Sequence, residues 1–203
     1  LSLRRTIFMG DANAIVVPVE RLIPLLEITN EHLPVEALGG IYAFLDGFSA
    51  HKKTPEDYQR LAHLGLKRVY IGLESGNAAL LRFLKKPGQP EEILRAVKTI
   101  KAGGISVGII VLLGAGGHQY AKAHVADSVK IINAMSLDMD DLLYFSELVE
   151  SENIPYVQDA FRANLLPLSA SERLEQALQI EAGLRFSPTL LTPHISRYDI
   201  REF

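Results

Sequence analysis

The stretch Tyr70–Gly76, YIGLESG, closes a short apolar run on a carboxylate and then breaks on Ser-Gly. A charge at the end of a buried strand is costly unless it is solvated or paired, so Glu74 is either a loop-edge residue or part of a site. Similar turns follow the other apolar runs. They are Gly10-Asp11-Ala12-Asn13, the group Asp46, Gly47, Phe48, Ser49 and His51, the group Gly114, Gly116, Gly117 and His118, and the pair Ser146 and Glu147. These turns offer carboxylates, hydroxyls and glycines, with little positive charge. Carboxylates accept hydrogen bonds from an ammonium or from ribose hydroxyls, and charge strengthens each bond. Glycines let backbone approach a planar ring. The set therefore suits a ligand with a cation and several hydroxyls. Phosphate suits it less well: GAGG before a helix offers amides, but the nearest cation, Lys122, lies a turn into that helix.

Such turns work together only if the elements before them are parallel strands, whose C-terminal ends carry the working residues in α/β folds. The chain reads that way. Strand patterns cover Thr6–Met9, Ile41–Leu45, Arg68–Leu73, Ile105–Leu113 and Asp141–Phe145, with a sixth at Pro188–Thr192. The run ISVGIIVLL is continuously apolar, the pattern of a strand buried on both faces. Helical patterns cover Val19–Asn30 (bent by Pro24), the stretch from Thr54 to Gly65, Asn77–Leu84, Pro90–Ala102, Tyr120–Met135 and Ser169–Gly183. Thr54 and Ser169 are N-caps, and Ser169-Ala-Ser-Glu172 is a capping box. Strands recur at roughly 30–45 residues, the size of a βα unit. The expected fold is an α/β domain with a parallel sheet, open or closed into a barrel. A single domain spans 1–203, with 147–203 as a less regular extension and Glu147–Leu168 irregular.

Composition narrows the function. A net charge of −3 over 203 residues recommends neither nucleic acid nor an anionic membrane as partner. The absence of cysteine excludes disulfides and thiolate metal sites made by this chain alone. No apolar run approaches the roughly 20 residues of a membrane span, and a cytoplasmic location is expected. The opening LSLRRTIFMG lacks an initiator Met and the close RYDIREF falls within an element, so the chain reads as a piece of a longer protein.

Each turn also has a structural reading. Asp11 could cap backbone amides, Glu74 could support Asn77 at a helix start, and GAGG could be a tight turn. His118, His124 and Asp127 do not share a helix face well enough for a metal. Lys85-Lys86-Pro87-Gly88 reads as a solvated turn, and Phe44 and Phe48 as core. His51, His63 and His194 are isolated. Two other functional classes stay open. One is an aldolase- or isomerase-like (β/α) barrel enzyme, which needs a base and a polarising cation at the strand ends. The other is a non-catalytic α/β binding module using an exposed edge.

In series, the segments IFMGDAN (7–13), YIGLESG (70–76), LLRFLKKPGQPEEILRAVKTIKAGGISVGIIVLLGAGG (80–117) and DLLYFSELV (141–149) resemble the radical S-adenosylmethionine (radical SAM) superfamily. The resemblance runs from about Thr6 to Gly183. It implies a partial (β/α) barrel of six parallel strands that binds S-adenosylmethionine beside a [4Fe-4S] cluster held by a CxxxCxxC loop after the first strand. That motif is absent here, so Thr6–Met9 corresponds to the family's second strand, and the cluster belongs to the full-length parent only. The missing first strand implies an exposed sheet edge, a site for self-association. By position, Gly10, Asp11, Ala12 and Asn13 match the segment that holds the methionine ammonium. Glu74 and Ser75 match the contact to the ribose or the amino acid part. Val111, Leu112 and Gly114 match the segment packed on adenine, and Tyr144, Phe145 and Ser146 match the stretch lining the same ring. The implied activity, in the parent, is reductive cleavage of the cofactor to a 5′-deoxyadenosyl radical that abstracts hydrogen from an unidentified small molecule. The fragment alone is expected to be inactive. The three turns at 10–13, 74–76 and 114–117 are expected to share one mouth.

Overall fold

Side chains set the helix starts. Thr54 Oγ1 accepts the Asp57 amide at 3.3 Å while Asp57 reaches back to the Thr54 amide at 3.0 Å, and Ser169 and Glu172 repeat that box. Asn77 Oδ1 accepts the Leu80 amide at 2.8 Å. The computed structural model describes residues 6–10, 13–148, 154–186 and 192–198. The strands are β1 (Ile7–Met9), β2 (Ile41–Phe44), β3 (Leu66–Glu74), β4 (Ser106–Leu113), β5 (Leu142–Glu147) and β6 (His194–Tyr198). The helices are α1 (Val19–His32), α2 (Pro55–His63), α3 (Ala78–Phe83), α4 (Pro90–Ala102), α5 (Gly117–Asn133), α6 (Pro155–Arg162) and α7 (Ala170–Gly183). The strands run parallel in one open sheet in chain order, β1 through β6, with helices between them, the partial-barrel α/β architecture. No described helix is long and apolar enough to cross a membrane.

The strands alternate. Ile41, Ala43, Val69, Ile71, Leu73, Val107, Ile109, Val111, Leu113, Leu143 and Phe145 are buried. The residues between them are mostly half-buried: Tyr42, Tyr70, Ile110, Leu112, Tyr144 and Ser146. So β4 is not buried on both faces as its apolar run suggests. Ile110 and Leu112 sit on the less covered side. Phe44 departs from expectation in the same way. It is 36% exposed and packs edge-on against Phe8 at 5.2 Å, whereas Phe48 is buried.

Two further differences lie near the C-terminus. Residues 155–162, expected to be irregular, form α6. That helix carries Tyr156, Val157, Ala160 and Phe161 on one stripe, but it is only 8 residues long, none of them is buried, and Phe161 is 84% exposed. The sixth strand is His194–Tyr198, and of the expected Pro188–Thr192 only Thr192 is a described residue.

The chain packs as two compact units, 1–72 with 95–109, and 73–94 with 110–203. The core of the first includes Leu61, Val69, Ile71, Ile100, Val107 and Tyr58. Gly103 is required there, because a Cβ would lie 2.4 Å from Tyr58 Cβ and 2.8 Å from the Pro55 carbonyl oxygen. The Tyr58 hydroxyl is buried without a hydrogen-bond partner among the described residues, and burial drives its ionisation above the usual phenol range. A buried donor left unmade is costly. Tyr58→Phe should therefore stabilise the fold by about 1 kcal/mol, read as a higher urea midpoint at unchanged slope. A loss of stability would show that the hydroxyl has a partner after all.

Candidate functional site

In the second unit the ends of β3, β4 and β5 each deliver one turn. At the end of β3 the backbone of Glu74 turns left-handed, with φ 58°, a conformation that costs a non-glycine residue about 1 kcal/mol or more. Its carboxylate is held by the chain itself: Lys86 Nζ donates to Glu74 Oε1 at 2.9 Å. Lys85 in turn meets Asp159 at 2.6 Å. The KKPG run is thus a pair of clamps rather than a solvated turn.

Behind Glu74 the turn is seated on α5. Ser75 is fully buried, and its hydroxyl shares a 2.7 Å bond with His124 Nδ1 and accepts the Asn77 amide at 3.0 Å. The Gly76 amide donates to Ser128 Oγ at 2.9 Å, and Asn77 Nδ2 donates to Asp127 Oδ2 at 2.7 Å. His124 and Asp127, weighed as metal ligands, therefore anchor the turn. Among the described residues no acidic and histidine cluster could hold a metal. Burial lowers the His124 pKa to about 4, and its Nε2 has no partner among the described residues.

The glycine turn after β4 is likewise filled. The Gly114 amide donates to Gln176 Oε1 at 2.9 Å, Gly116 to the Tyr156 hydroxyl at 2.9 Å, Gly117 to the Gly114 carbonyl at 3.1 Å and His118 to the Leu166 carbonyl at 2.9 Å. Four amides that a phosphate would need are spent, so GAGG is a packed turn and the phosphate reading falls. A Cβ on Gly114 would sit 2.8 Å from Arg173 Cδ. Arg173 also pairs with Glu147 at 3.0 Å, so each of these strand-end carboxylates has a cation beside it, against the expected scarcity of positive charge. Along β4 and β5, Leu112, Tyr144 and Ser146 face the less covered side, while Val111 and Phe145 point into the core.

In the first unit, Gly10 is exposed with nothing within 4 Å of where a Cβ would stand, and Asp11 and Ala12 lie outside the described residues. Asn13 Oδ1 accepts the Asp46 amide at 2.9 Å, tying the turn after β1 to the turn after β2. Asp46 itself caps the following turn through Phe48 and Ser49. Lys53 is buried and donates to the carbonyls of Ile15 at 2.5 Å and Val17 at 2.7 Å, which fixes the segment after Asn13.

Sequence reasoning missed Lys86, Arg173, Gln176, Tyr156 and His124 as positioning groups. Their signal is tertiary: Gln176 meets Gly114 across 62 residues of chain and His124 meets Ser75 across 49. Only Lys86, 12 residues after Glu74, was near enough to suspect.

The Radical SAM superfamily model matches residues 8–129. No curated protein matches the chain. Among solved structures it is similar to methylornithine synthase (PylB), with a TM-score of 0.59 at 16% identity over 88% of this chain and 47% of that one. It is similar to coproporphyrinogen III oxidase (HemN) from Escherichia coli, at 0.64 and 15% over 88% and 39%. It is also similar to Elp3 of Methanocaldococcus infernus, at 0.60 and 14% over 93% and 50%. At these identities the likeness is one of fold, and the chain spans half or less of each of those structures.

Proposed function

Since this chain belongs to the radical SAM superfamily, we propose that it is the cofactor-holding part of an enzyme that binds S-adenosylmethionine. When bound and reduced in a full-length parent, that cofactor supplies a 5′-deoxyadenosyl radical. The residues present do not fit the [4Fe-4S] cluster: thiolates hold such clusters and this chain has no cysteine. The cluster loop would come from outside these 203 residues.

The residues do suit the nucleoside. The observation that carries the reading is that Glu74, Leu112, Tyr144 and Ser146, at three strand ends of one unit, are all partly exposed and offer a carboxylate, an apolar surface and hydroxyls. Glu74 Oε1 is taken by Lys86, so the pair is close to neutral. Its Oε2 suits a ribose hydroxyl better than an ammonium. Ser75 contributes by orienting the turn, since its hydroxyl is buried and engaged. Leu112 packs on the adenine. Val111, Gly114 and Phe145 back the site from behind, and Tyr144 and Ser146 line the ring. The ammonium role proposed for Gly10, Asp11, Ala12 and Asn13 rests on their place in the family series alone. A barrel enzyme of the aldolase or isomerase type asks for a free cation, and Lys86 is already matched by Glu74.

Calorimetric titration of the chain with S-adenosylmethionine and with adenosine tests the roles. Glu74→Gln should weaken both about tenfold, the worth of one charge-assisted bond, because both carry the ribose. A loss confined to S-adenosylmethionine would move Glu74 to the ammonium. Equal affinities in variant and parent would remove the assignment.

A further inference from the structure

A cleft lies within the second unit, between α5 and α7, on residues that the proposed cofactor site does not use. Its volume is about 180 Å³, more than the roughly 150 Å³ that accommodates benzene. Two stripes at helical spacing line it: His118 and Lys122 from α5, and Glu172, Glu175, Gln176 and Gln179 from α7. Facing helices ordinarily fill such a groove with apolar side chains. This one sets polar groups beside Ala121, Val125 and Leu168, and three of those polar groups have unmatched atoms.

The floor is Gln176, only 3% exposed. Its Oε1 accepts the Gly114 amide, which fixes the orientation of the carboxamide and leaves Nε2 as a buried donor without a partner among the described residues. Such a donor calls for an acceptor in the cleft. At the rim, Lys122 forms no ion pair or hydrogen bond among the described residues. Glu172 is occupied at both oxygens, by His118 at 3.4 Å and by Ser169 at 2.7 Å. Glu175 takes Gln179 Nε2 at 3.0 Å on Oε1 and keeps Oε2. The unmatched set is therefore a buried amide donor, an ammonium and one carboxylate oxygen.

We propose that this cleft binds a small zwitterion of the α-amino acid class. Its carboxylate accepts from Gln176 Nε2 and Lys122 Nζ, and its ammonium donates to Glu175 Oε2. An anion alone would leave Glu175 repelling it, and a cation alone would leave Gln176 and Lys122 unmatched. Because Gln176 holds the Gly114 amide with its other atom, occupancy also bears on the turn after β4. The site stands whether or not the cofactor reading holds.

The test is an amide-resolved NMR titration of the 203-residue chain with L-alanine, acetate and ethylammonium in parallel. L-alanine should shift the Gln176 side-chain amide and the Gly114 backbone amide saturably, with a midpoint on the order of 1 mM. Acetate and ethylammonium should each bind at least tenfold more weakly. Lys122→Met and Glu175→Gln, both at exposed helix positions, should each weaken L-alanine about tenfold with the rest of the spectrum unchanged. Failure of L-alanine to saturate these signals would mean a groove filled by water and would overturn the proposal. Binding of acetate or ethylammonium as tight as that of L-alanine would overturn it equally.

Discussion

Gly76→Ala should destabilise the second unit by about 3 kcal/mol or more, a large share of a typical domain's stability. The added Cβ would stand 2.3 Å from the Asp127 carbonyl oxygen, 2.4 Å from its carbon and 2.5 Å from the Ser128 nitrogen. Those atoms are backbone in the middle of α5, so relief requires moving a helix or lifting the turn. Lifting the turn breaks the Gly76 bond to Ser128, the Asn77 bond to Asp127 and the Ser75 bond to His124 together. It also strips Glu74 of the restraint that keeps it left-handed. The control is Gly104→Ala. Gly104 has φ 81° but nothing within 4 Å of its Cβ position, so only backbone strain is added, about 1 kcal/mol. Urea unfolding of both variants reads the difference. A Gly76→Ala protein as stable as Gly104→Ala would mean that the turn is not seated on α5.

The same glycine shows where sequence reading stops. In YIGLESG, Gly76 is visible as a break in a strand pattern, but its physical reason is a helix backbone about 50 residues on. What was legible was local. The Thr54 cap, the Ser169 box, the helix Pro90–Ala102 and the strand–helix alternation all depend on near neighbours, and all stand in the structure. The four segments that carried the family resemblance fall within β1, β3, α3 through β4, and β5 with the turns that follow. What was not legible was pairing across the chain. Glu74 invited an external partner because Lys86 reads as one of two lysines in a surface turn. GAGG invited a phosphate because Gln176 and Tyr156, which take the Gly114 and Gly116 amides, come 40 residues or more later, and Leu166, which takes the His118 amide just after it, lies in an unpatterned stretch. Strand faces failed for a related reason. β4 is apolar on both sides because its less covered side still carries Ile110 and Leu112, and apolar content alone cannot tell half-burial from full burial.

Acid should unlatch the turn that carries Glu74, and His124 sets the window. Its imidazole is fully buried, and desolvation lowers its pKa from 6.5 to about 4. The unfolded chain takes up a proton at this residue as pH falls through 6.5, while the folded chain resists until about 4. Above 6.5 both states are neutral and the residue adds no pH dependence. Between 6.5 and 4 the unfolded state binds more protons, so stability falls as pH falls. The accumulated loss by pH 4 is about 3 kcal/mol. Below that the folded state protonates too, and the slope attributable to His124 vanishes. Asp127, the nearest carboxylate anchoring the same turn, is held to Asn77 and faces the turn rather than the ring's unpartnered Nε2. His124→Asn isolates the effect, because an Asn amide can reproduce the Nδ1 bond to Ser75 without titrating. Unfolding free energies measured from above pH 7 down to pH 4 should fall about 3 kcal/mol further in the parent than in His124→Asn, with the two curves parallel above pH 7. Parallel curves throughout would mean that the imidazole is solvated and that the Ser75 latch is open at neutral pH. Hydrogen exchange at the Gly76 amide gives the local counterpart: protection lost between pH 6.5 and 4 in the parent but retained in His124→Asn ties the acid transition to this turn rather than to the carboxylates elsewhere.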